Sequence, residues 1–338
     1  MILIVTHFQD ITVVRLTKHL RARGVDPLIV DSAAMEAGML CLTPAGGSCD
    51  IHLHLNGQRI PLSEIHSAWL WRPWERFPEE PHLKILAQNE REWSFYRREW
   101  IAFHKGFSMA VAHSSVFCVN PPPNNIAFEE KICQLMLAAR IGLNIPETLY
   151  TTRPVTALPL YDKHRAGIIY KPFSQLAYLI ENGADSTVAR LYTNRVSGQD
   201  LESSSSLVPT PSIFQPYIAK AIELRIVIVG RAIFACAIHS QASERSRDDW
   251  RRYDFDNTPY EIFHLPADIE EKLLLLMDRL GLVFGSVDMI LTPGGDYVFL
   301  EINPNGQFDW IVARTELPVY EALADLLITR GEPDCASG

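Results

Sequence analysis

Apolar positions along the chain recur with two periods, and the switching between them sets the order of elements. Ile2-Leu3-Ile4-Val5 is a short continuous apolar run, Leu16 and Leu20 fall at helical spacing ahead of Gly24, and Leu28-Ile29-Val30 is apolar and extended again. Residues 2–31 therefore predict strand, helix, strand. No G-x-G-x-x-G follows the first strand, so a dinucleotide site has no support. Turn signals at Pro44-Ala45-Gly46-Gly47 and Asn56-Gly57 precede a short strand over 67–71, which ends at Arg72-Pro73. Aromatic and apolar spacing then predicts a long helix over 90–112. Asn120-Pro121-Pro122-Pro123 is the clearest boundary, since consecutive prolines cannot continue a helix or a central strand.

Beyond that boundary the pattern predicts a helix over 127–140, stopped by Gly142 and followed by Pro146, then a strand over 168–171 that ends at Pro172. The run from Ser203 to Ser206, with Pro209 and Pro211, reads as a mobile surface loop. Strands over 221–229 and 231–239 meet near Gly230 as a hairpin, and the polar run 243–254 reads as a loop. A helix over 269–280 is capped by Gly281. There is no internal repeat. The order βαβα, then mixed strands and helices, predicts an α/β (α+β) enzyme of several lobes.

Composition narrows the partners. The 338 residues, 47% apolar and 21% charged, can bury a sizeable core in two or three lobes. A net charge of −9 argues against non-specific nucleic-acid binding, which needs surplus Lys and Arg, so an anionic ligand must meet local positive charge. The six cysteines form neither a C-x-x-C pair nor a metal spacing with His, which points to reduced thiols in the cytosol. The apolar N-terminus has no preceding basic region and is broken by Thr6, His7 and Gln9, so it reads as a strand and not a signal. The longest apolar stretch, 221–238, carries Glu223, Arg225 and Arg231, which disfavours a membrane span. A cytoplasmic protein without nucleic-acid or membrane partners is expected.

The strongest chemical signal lies near the C-terminal end. Ser286-Val287-Asp288-Met289-Ile290 and Val298-Phe299-Leu300-Glu301-Ile302-Asn303 flank Thr292-Pro293-Gly294-Gly295-Asp296. With Gly294-Gly295 as a two-residue hairpin turn, Pro293 faces Asp296 and Asp288 comes to lie directly opposite Glu301. Alternation predicts Phe299, Glu301 and Asn303 on one face and Val298, Leu300 and Ile302 on the other. Adjacent carboxylates repel, and a divalent cation with oxygen ligands is the simplest compensation; a solvated face or a shared proton is the alternative. Lys171 ends an apolar strand, where a long cation can reach into a cleft, and Lys131 sits in the first turns of a helix. Arg225 interrupts the apolar run 222–229 and needs an anionic partner.

Taken in order, these residues resemble a known family. Asn120-Pro121, Lys131, the run 142–148, Lys171-Pro172, Phe214-Gln215-Pro216-Tyr217-Ile218, Glu223-Leu224-Arg225, Asp288, and Glu301-Ile302-Asn303-Pro304-Asn305-Gly306-Gln307 resemble the ATP-grasp fold in order and spacing. Trp71-Arg72-Pro73, the run 301–307 and Asp249-Trp250-Arg251 are similar to the graspetide (microviridin-type) macrocyclases. The resemblance covers nearly the whole chain. It implies an N-terminal βαβ pre-ATP-grasp domain over 1–119, a central lobe over 120–213, a C-terminal lobe with the Mg/ATP site over 214–330, and a flexible tail over 331–338.

The resemblance also implies roles. Lys131 and Lys171 would contact the ATP phosphates, Gln215, Pro216, Tyr217 and Ile218 would form the adenine hinge, and Glu223 joins the nucleotide-binding set. Arg225, with Lys171, would be catalytic and face the transferred phosphate, and Asp288, Glu301 and Asn303 would bind Mg²⁺. Asp249, Arg251 and Arg252 would engage a ribosomal precursor peptide, leader plus core. The segment Ser174-Gln175-Leu176-Ala177 lacks the glycines that many ATP-grasp ligases place over the phosphates. The implied reaction phosphorylates an Asp or Glu side chain of that peptide and lets its Ser, Thr or Lys displace phosphate, closing an ester or amide ring. Relatives of this kind are often homodimers, which the residues themselves do not show. Rival readings are a ligase of the glutamate-ligase or glutathione-synthetase type joining a free amino acid to a small molecule or protein tail, and a non-catalytic nucleotide-dependent binding module.

Overall fold

A computed structural model of the chain describes residues 1–6, 10–31, 40–45, 48–55, 58–71, 87–127, 130–173, 177–182, 185–190, 193–203, 210–243 and 257–330. The opening unit is β1 (Ile2–Thr6), α1 (Ile11–Ala22) and β2 (Leu28–Asp31), with the strands parallel. Every residue of β1 is buried, which is why its sequence is a continuous apolar run. Three strands absent from the expected order follow: β3 (Leu40–Ala45), β4 (Ser48–Leu55) and β5 (Gln58–Pro61) make a separate antiparallel sheet. Its expected turns at Gly46-Gly47 and Asn56-Gly57 lie outside the described residues, as does Arg72-Pro73. β6 (Ser67–Leu70), α2 (Glu90–Ala112) and β7 (Phe117–Val119) complete a four-stranded parallel sheet of order β2-β1-β6-β7.

The prolines follow the end of a strand, as expected, and two of them also open a helix. β7 stops just before Asn120, but Pro122 opens a short helix, α3 (Pro122–Ala127). A first helical turn needs no N–H donor there, so proline is tolerated. The helix expected over 127–140 is accordingly a shorter one, α4 (Lys131–Arg140), and Lys131 is its first residue.

Next come β8 (Leu149–Thr151), α5 (Leu158–Lys163), β9 (Ile168–Lys171), the hairpin of β10 (Ala177–Asn182) and β11 (Asp185–Arg190), β12 (Asn194–Val196), α6 (Gly198–Ser203) and β13 (Ser212–Pro216). Four of these strands form an antiparallel sheet of order β12-β9-β13-β8. The loops expected around 203–211 and 243–254 fall largely on 204–209 and 244–256, outside the described residues.

The last part is β14 (Ile222–Val229), β15 (Ala232–Ile238), β16 (Tyr260–Phe263), α7 (Ala267–Leu280), β17 (Phe284–Leu291), β18 (Tyr297–Asn303), α8 (Asp309–Thr315) and α9 (Val319–Thr329). Its antiparallel sheet has the order β16-β15-β14-β17-β18. Strand alternation gives that sheet two buried faces. Leu224, Ile226, Ile228, Val287 and Met289 pack with Leu135 of α4 and Leu273, Leu276 and Leu280 of α7. Val227, Val229, Cys236 and Phe284 face the other way, into a core shared with Leu323 and Leu327 of α9, Leu16 and Leu20 of α1, and Trp69 and Trp71 at the end of the parallel sheet. Helix α9 thus fills the space between the two sheets. Among the described residues no helix is long and apolar enough to cross a membrane.

Candidate active site

The face of β14 that buries Val227 and Val229 at one end carries Arg225 and Glu223 at the other, because alternate residues share a face. Arg225 lies opposite Asp288 on β17, and Glu223 lies opposite Ile290. The arginine that interrupts the apolar strand has the anionic partner it requires. Its Nη1 donates to both oxygens of Asp288 at 3.0 Å, and its Nη2 donates to the Gln307 carbonyl at 3.0 Å. Both side chains are almost fully buried, so removing either would strand a charge in a medium of low polarity.

Asp288 does stand opposite Glu301, as the hairpin argument predicts, but by a different route. The turn is not the two-residue Gly294-Gly295. Thr292 pairs with Asp296, its amide donating to the Asp296 carbonyl at 2.9 Å, which leaves Pro293, Gly294 and Gly295 as a three-residue loop. Gly295 has φ +89°, a conformation that glycine adopts without strain. That shift of one residue is cancelled by a β-bulge: the register slips between Asp288 and Met289, so Leu300 is an extra residue on β18. The bulge corrects the predicted faces as well. Phe299 does not share the face of Glu301; it is fully buried with Ile302 in the core under the sheet, whereas Leu300 turns into the cleft beside Ile290.

The paired carboxylates also meet positive charge from the chain itself. Each is neutralised by a basic side chain: Asp288 by Arg225, and Glu301 by Lys131, whose Nζ lies 2.9 Å from Glu301 Oε2. Glu223 is likewise paired with Lys220 at 3.0 Å. Asn303 follows Glu301 by two residues, at the end of β18 opposite Ser286. Among the described residues no three His, Cys, Asp or Glu side chains converge as a metal cage. Two carboxylates and an amide oxygen are instead a partial set, of the kind Mg²⁺ uses when nucleotide phosphates complete its shell.

Between the β12-β9-β13-β8 sheet and this five-stranded sheet lies a pocket. It is lined by Lys171, Gln215, Pro216, Tyr217, Ile218 and Glu223, the residues assigned to nucleotide binding, together with Ile169, Thr193, Lys220, Ile290 and Leu300. Local pairing places them: Ile213 opposite Lys171 and Gln215 opposite Ile169 set the end of β9 beside the hinge strand. The buried Gln215 amide donates to Thr148 Oγ1 at 3.0 Å. One hinge group is already engaged, since the Tyr217 amide donates to the Gly167 carbonyl at 2.9 Å. The Arg195 guanidinium lies 3.5 Å over the Tyr217 ring at the edge of this pocket.

Lys131 is not part of that lining; it reaches the site through Glu301. Asp249, Arg251, Arg252 and residues 174–176 lie outside the described residues. Sequence reasoning did not single out Lys220, Thr193, Ile169, Ile290 and Leu300. Ile290 follows from the register with Glu223, and Leu300 would follow only from the bulge. Thr193 and Lys220 carry no signal in one sequence.

No protein-family model and no curated protein matches the chain. Solved structures do. An ATP-grasp ligase from Chryseobacterium gregarium, RiPP-associated and solved with ADP and a leader and core peptide, is 28% identical over 98% of this chain and 97% of its own, with a TM-score of 0.83. Macrocyclase MdnC from Microcystis aeruginosa MRC, bound with precursor peptide MdnA, is 28% identical over 97% of this chain and 99% of its own, with a TM-score of 0.80. Macrocyclase MdnB from the same source is 28% identical over 97% and 98%, with a TM-score of 0.72. By fold, by extent and by the order of its motifs, the chain is similar to ATP-grasp ligases, among them the RiPP-associated ligase and the macrocyclases just described.

Proposed function

We propose that the protein uses ATP and Mg²⁺ to close side-chain rings in a ribosomally made precursor peptide. The observation that carries this reading is the meeting of two carboxylates, Asp288 and Glu301, with two cations, Arg225 and Lys131, on the strands β14, β17 and β18 that also supply Glu223, Ile290 and Leu300 to the pocket formed with Lys171 and Gln215 to Ile218. The similar ligase and macrocyclase structures hold ADP or a precursor peptide in their complexes, which supports the same substrates here.

In this reading an Asp or Glu carboxylate of the peptide attacks the γ-phosphorus of ATP, giving an acyl phosphate and ADP. A Ser or Thr hydroxyl or a Lys amine then attacks the acyl carbon, loses its proton and expels phosphate, so each ring removes one water from the peptide. Mg²⁺ bound by Asp288, Glu301 and Asn303 would neutralise charge on the phosphate oxygens. Lys131, already beside Glu301, exchanges that carboxylate for a phosphate oxygen, and Lys171 approaches from the end of β9. Arg225 holds Asp288 in its orientation and contributes positive potential toward the transferred phosphate. Binding is therefore mostly positioning and electrostatics, with no protein nucleophile. Residues 1–119, 120–213 and 214–330 act as the three working lobes, and Asp249, Arg251 and Arg252 contact the precursor.

The test is incubation with ATP, Mg²⁺ and a candidate precursor encoded by a neighbouring short reading frame rich in Thr, Ser, Glu and Asp, read by mass. Loss of one water per ring with stoichiometric ADP supports the reading. An unchanged peptide together with ADP release driven by a free amino acid overturns it in favour of a small-molecule ligase.

A further inference from the structure

β18 is an edge strand, so the outward backbone groups of its residues have no ladder partner in the sheet. Two devices cover that edge. Asn144 accepts from the Phe299 amide at 2.8 Å through its carbonyl and pairs with Val298 as an isolated bridge. One step further along, the cover is a single side chain. Gln134 of α4, 1% exposed, donates from Nε2 to the Ile302 carbonyl at 2.7 Å and accepts from the Ile302 amide at 2.9 Å through Oε1. The amide therefore does the work of a neighbouring strand. Its orientation is fixed, because the flipped form would set two donors and two acceptors against each other.

The position of this clamp is informative. Ile302 lies between Glu301 and Asn303, the two β18 residues proposed to hold the metal. It lies two residues after the bulge at Leu300, where the ladder to β17 is locally broken. Gln134 also stands three residues after Lys131, on the same side of α4, so the helix grips β18 twice: by the Glu301 side chain and by the Ile302 backbone. If Lys131 leaves Glu301 for a phosphate oxygen, the first grip is lost at the moment Glu301 must hold its position. The second grip uses no group that the reaction needs.

We propose, resting on the functional reading above, that Gln134 is a positioning residue. It fixes the β18 backbone so that Glu301 and Asn303 keep their metal-binding geometry when the Lys131–Glu301 pair opens. The variants are Gln134→Glu, which keeps size and the acceptor but loses the donor, and Gln134→Met, which keeps only shape. The readouts are Mg²⁺-dependent ADP binding by calorimetry, the Mg²⁺ and peptide dependence of ring formation, and thermal unfolding. Both variants are expected to raise the half-saturating Mg²⁺ concentration about tenfold or more, the scale seen when a ligand's supporting hydrogen bond is lost, with the peptide KM changed less than about twofold and Gln134→Met the milder, because Gln134→Glu sets a buried carboxylate against the Ile302 carbonyl.

A folded variant with the wild-type Mg²⁺ requirement overturns the proposal. So does failure of both variants to fold, which would make the clamp purely structural. Failure of the underlying reading is distinguishable, because the wild-type protein itself would then show no Mg²⁺-dependent ADP binding.

Discussion

Along one face of β14 the side chains read Glu223, Arg225, Val227, Val229, and along the paired β17 they read Ile290, Asp288, Ser286, Phe284. The ends with Val229 and Phe284 are closed over by Trp71, Phe308 and the apolar side of α9, with Phe284 edge-on to Trp71 at 5.9 Å between centroids. The ends with Arg225 and Asp288 open toward the cleft, and there every charge is matched by a charge. The two regions share strands, twist and register, and differ only in what covers them. Closed apolar packing supplies free energy, and the charged end draws on it: desolvating an ion pair gains little stability of its own, but a pair held in a rigid sheet is preorganised for a charged ligand.

The comparison breaks most sharply at Asp288. Asp288→Ala leaves the buried Arg225 guanidinium without its carboxylate, so we expect a loss of about 3–5 kcal/mol in denaturant unfolding, with ring formation abolished. At the packed end, Phe284→Ala should also cost about 3–5 kcal/mol, yet the fraction that remains folded should keep its Mg²⁺ requirement and kcat. A shift in Mg²⁺ requirement would show that the two ends are not separable.

Gly306 tests the boundary between them. A Cβ there would lie 2.5 Å from the Ser286 Cβ and 2.8 Å from Arg225 Nη2, so the loop after β18 must move to admit it. Gly306→Ala should cost about 1–3 kcal/mol and lower kcat more than it raises the peptide KM. Lys131→Ala acts where exposure is greater, with 21% of the side chain open to solvent. Stability should therefore change by at most about 1 kcal/mol, while ADP binding weakens about tenfold by calorimetry if the lysine exchanges partners as proposed.

The smallest effect concerns Cys236, which lies opposite Arg225 in register and on the same face, within the core that holds Val227 and Val229, where burial pushes its thiol up to about 12. Cys118 is raised to about 12 for the same reason. Both should stay protonated and unalkylated at neutral pH while the exposed Cys41 and Cys49 react, as mass mapping after brief iodoacetamide treatment would read. Because the folded value is raised, these thiols favour the folded state below the ordinary value of 9.0 and contribute a loss of stability as pH rises from there toward about 12.

Some of the site was legible before any coordinates. Arg225 within an apolar strand demanded an anion, and Gly-Gly between two strands set Asp288 against Glu301. The second inference reached the correct pair although its turn was one residue too short, because the bulge at Leu300 made up the difference. Strand pairing of that kind is local, and hydrophobic period together with turn residues specifies it. β1, α2 and β9 were readable for the same reason. The strands β3 to β5 and β10 to β13 were not predicted: β4 does carry a period of two in Cys49, Ile51, Leu53 and Leu55, whereas β12 and β13 are too short to establish one.

What the linear order determined by itself was the alternation of strands and helices, the charged interruption in β14 and the pairing of two carboxylates near the end of the chain. Only the tertiary structure decided which cations meet those carboxylates, that Leu300 and not Phe299 enters the cleft, and that Gln134 holds the strand between Glu301 and Asn303. These contacts join residues as far apart as Gln134 and Ile302, 168 positions along the chain. Long-range contacts leave no period in the sequence, because they depend on how whole sheets and helices pack and not on the spacing of neighbours.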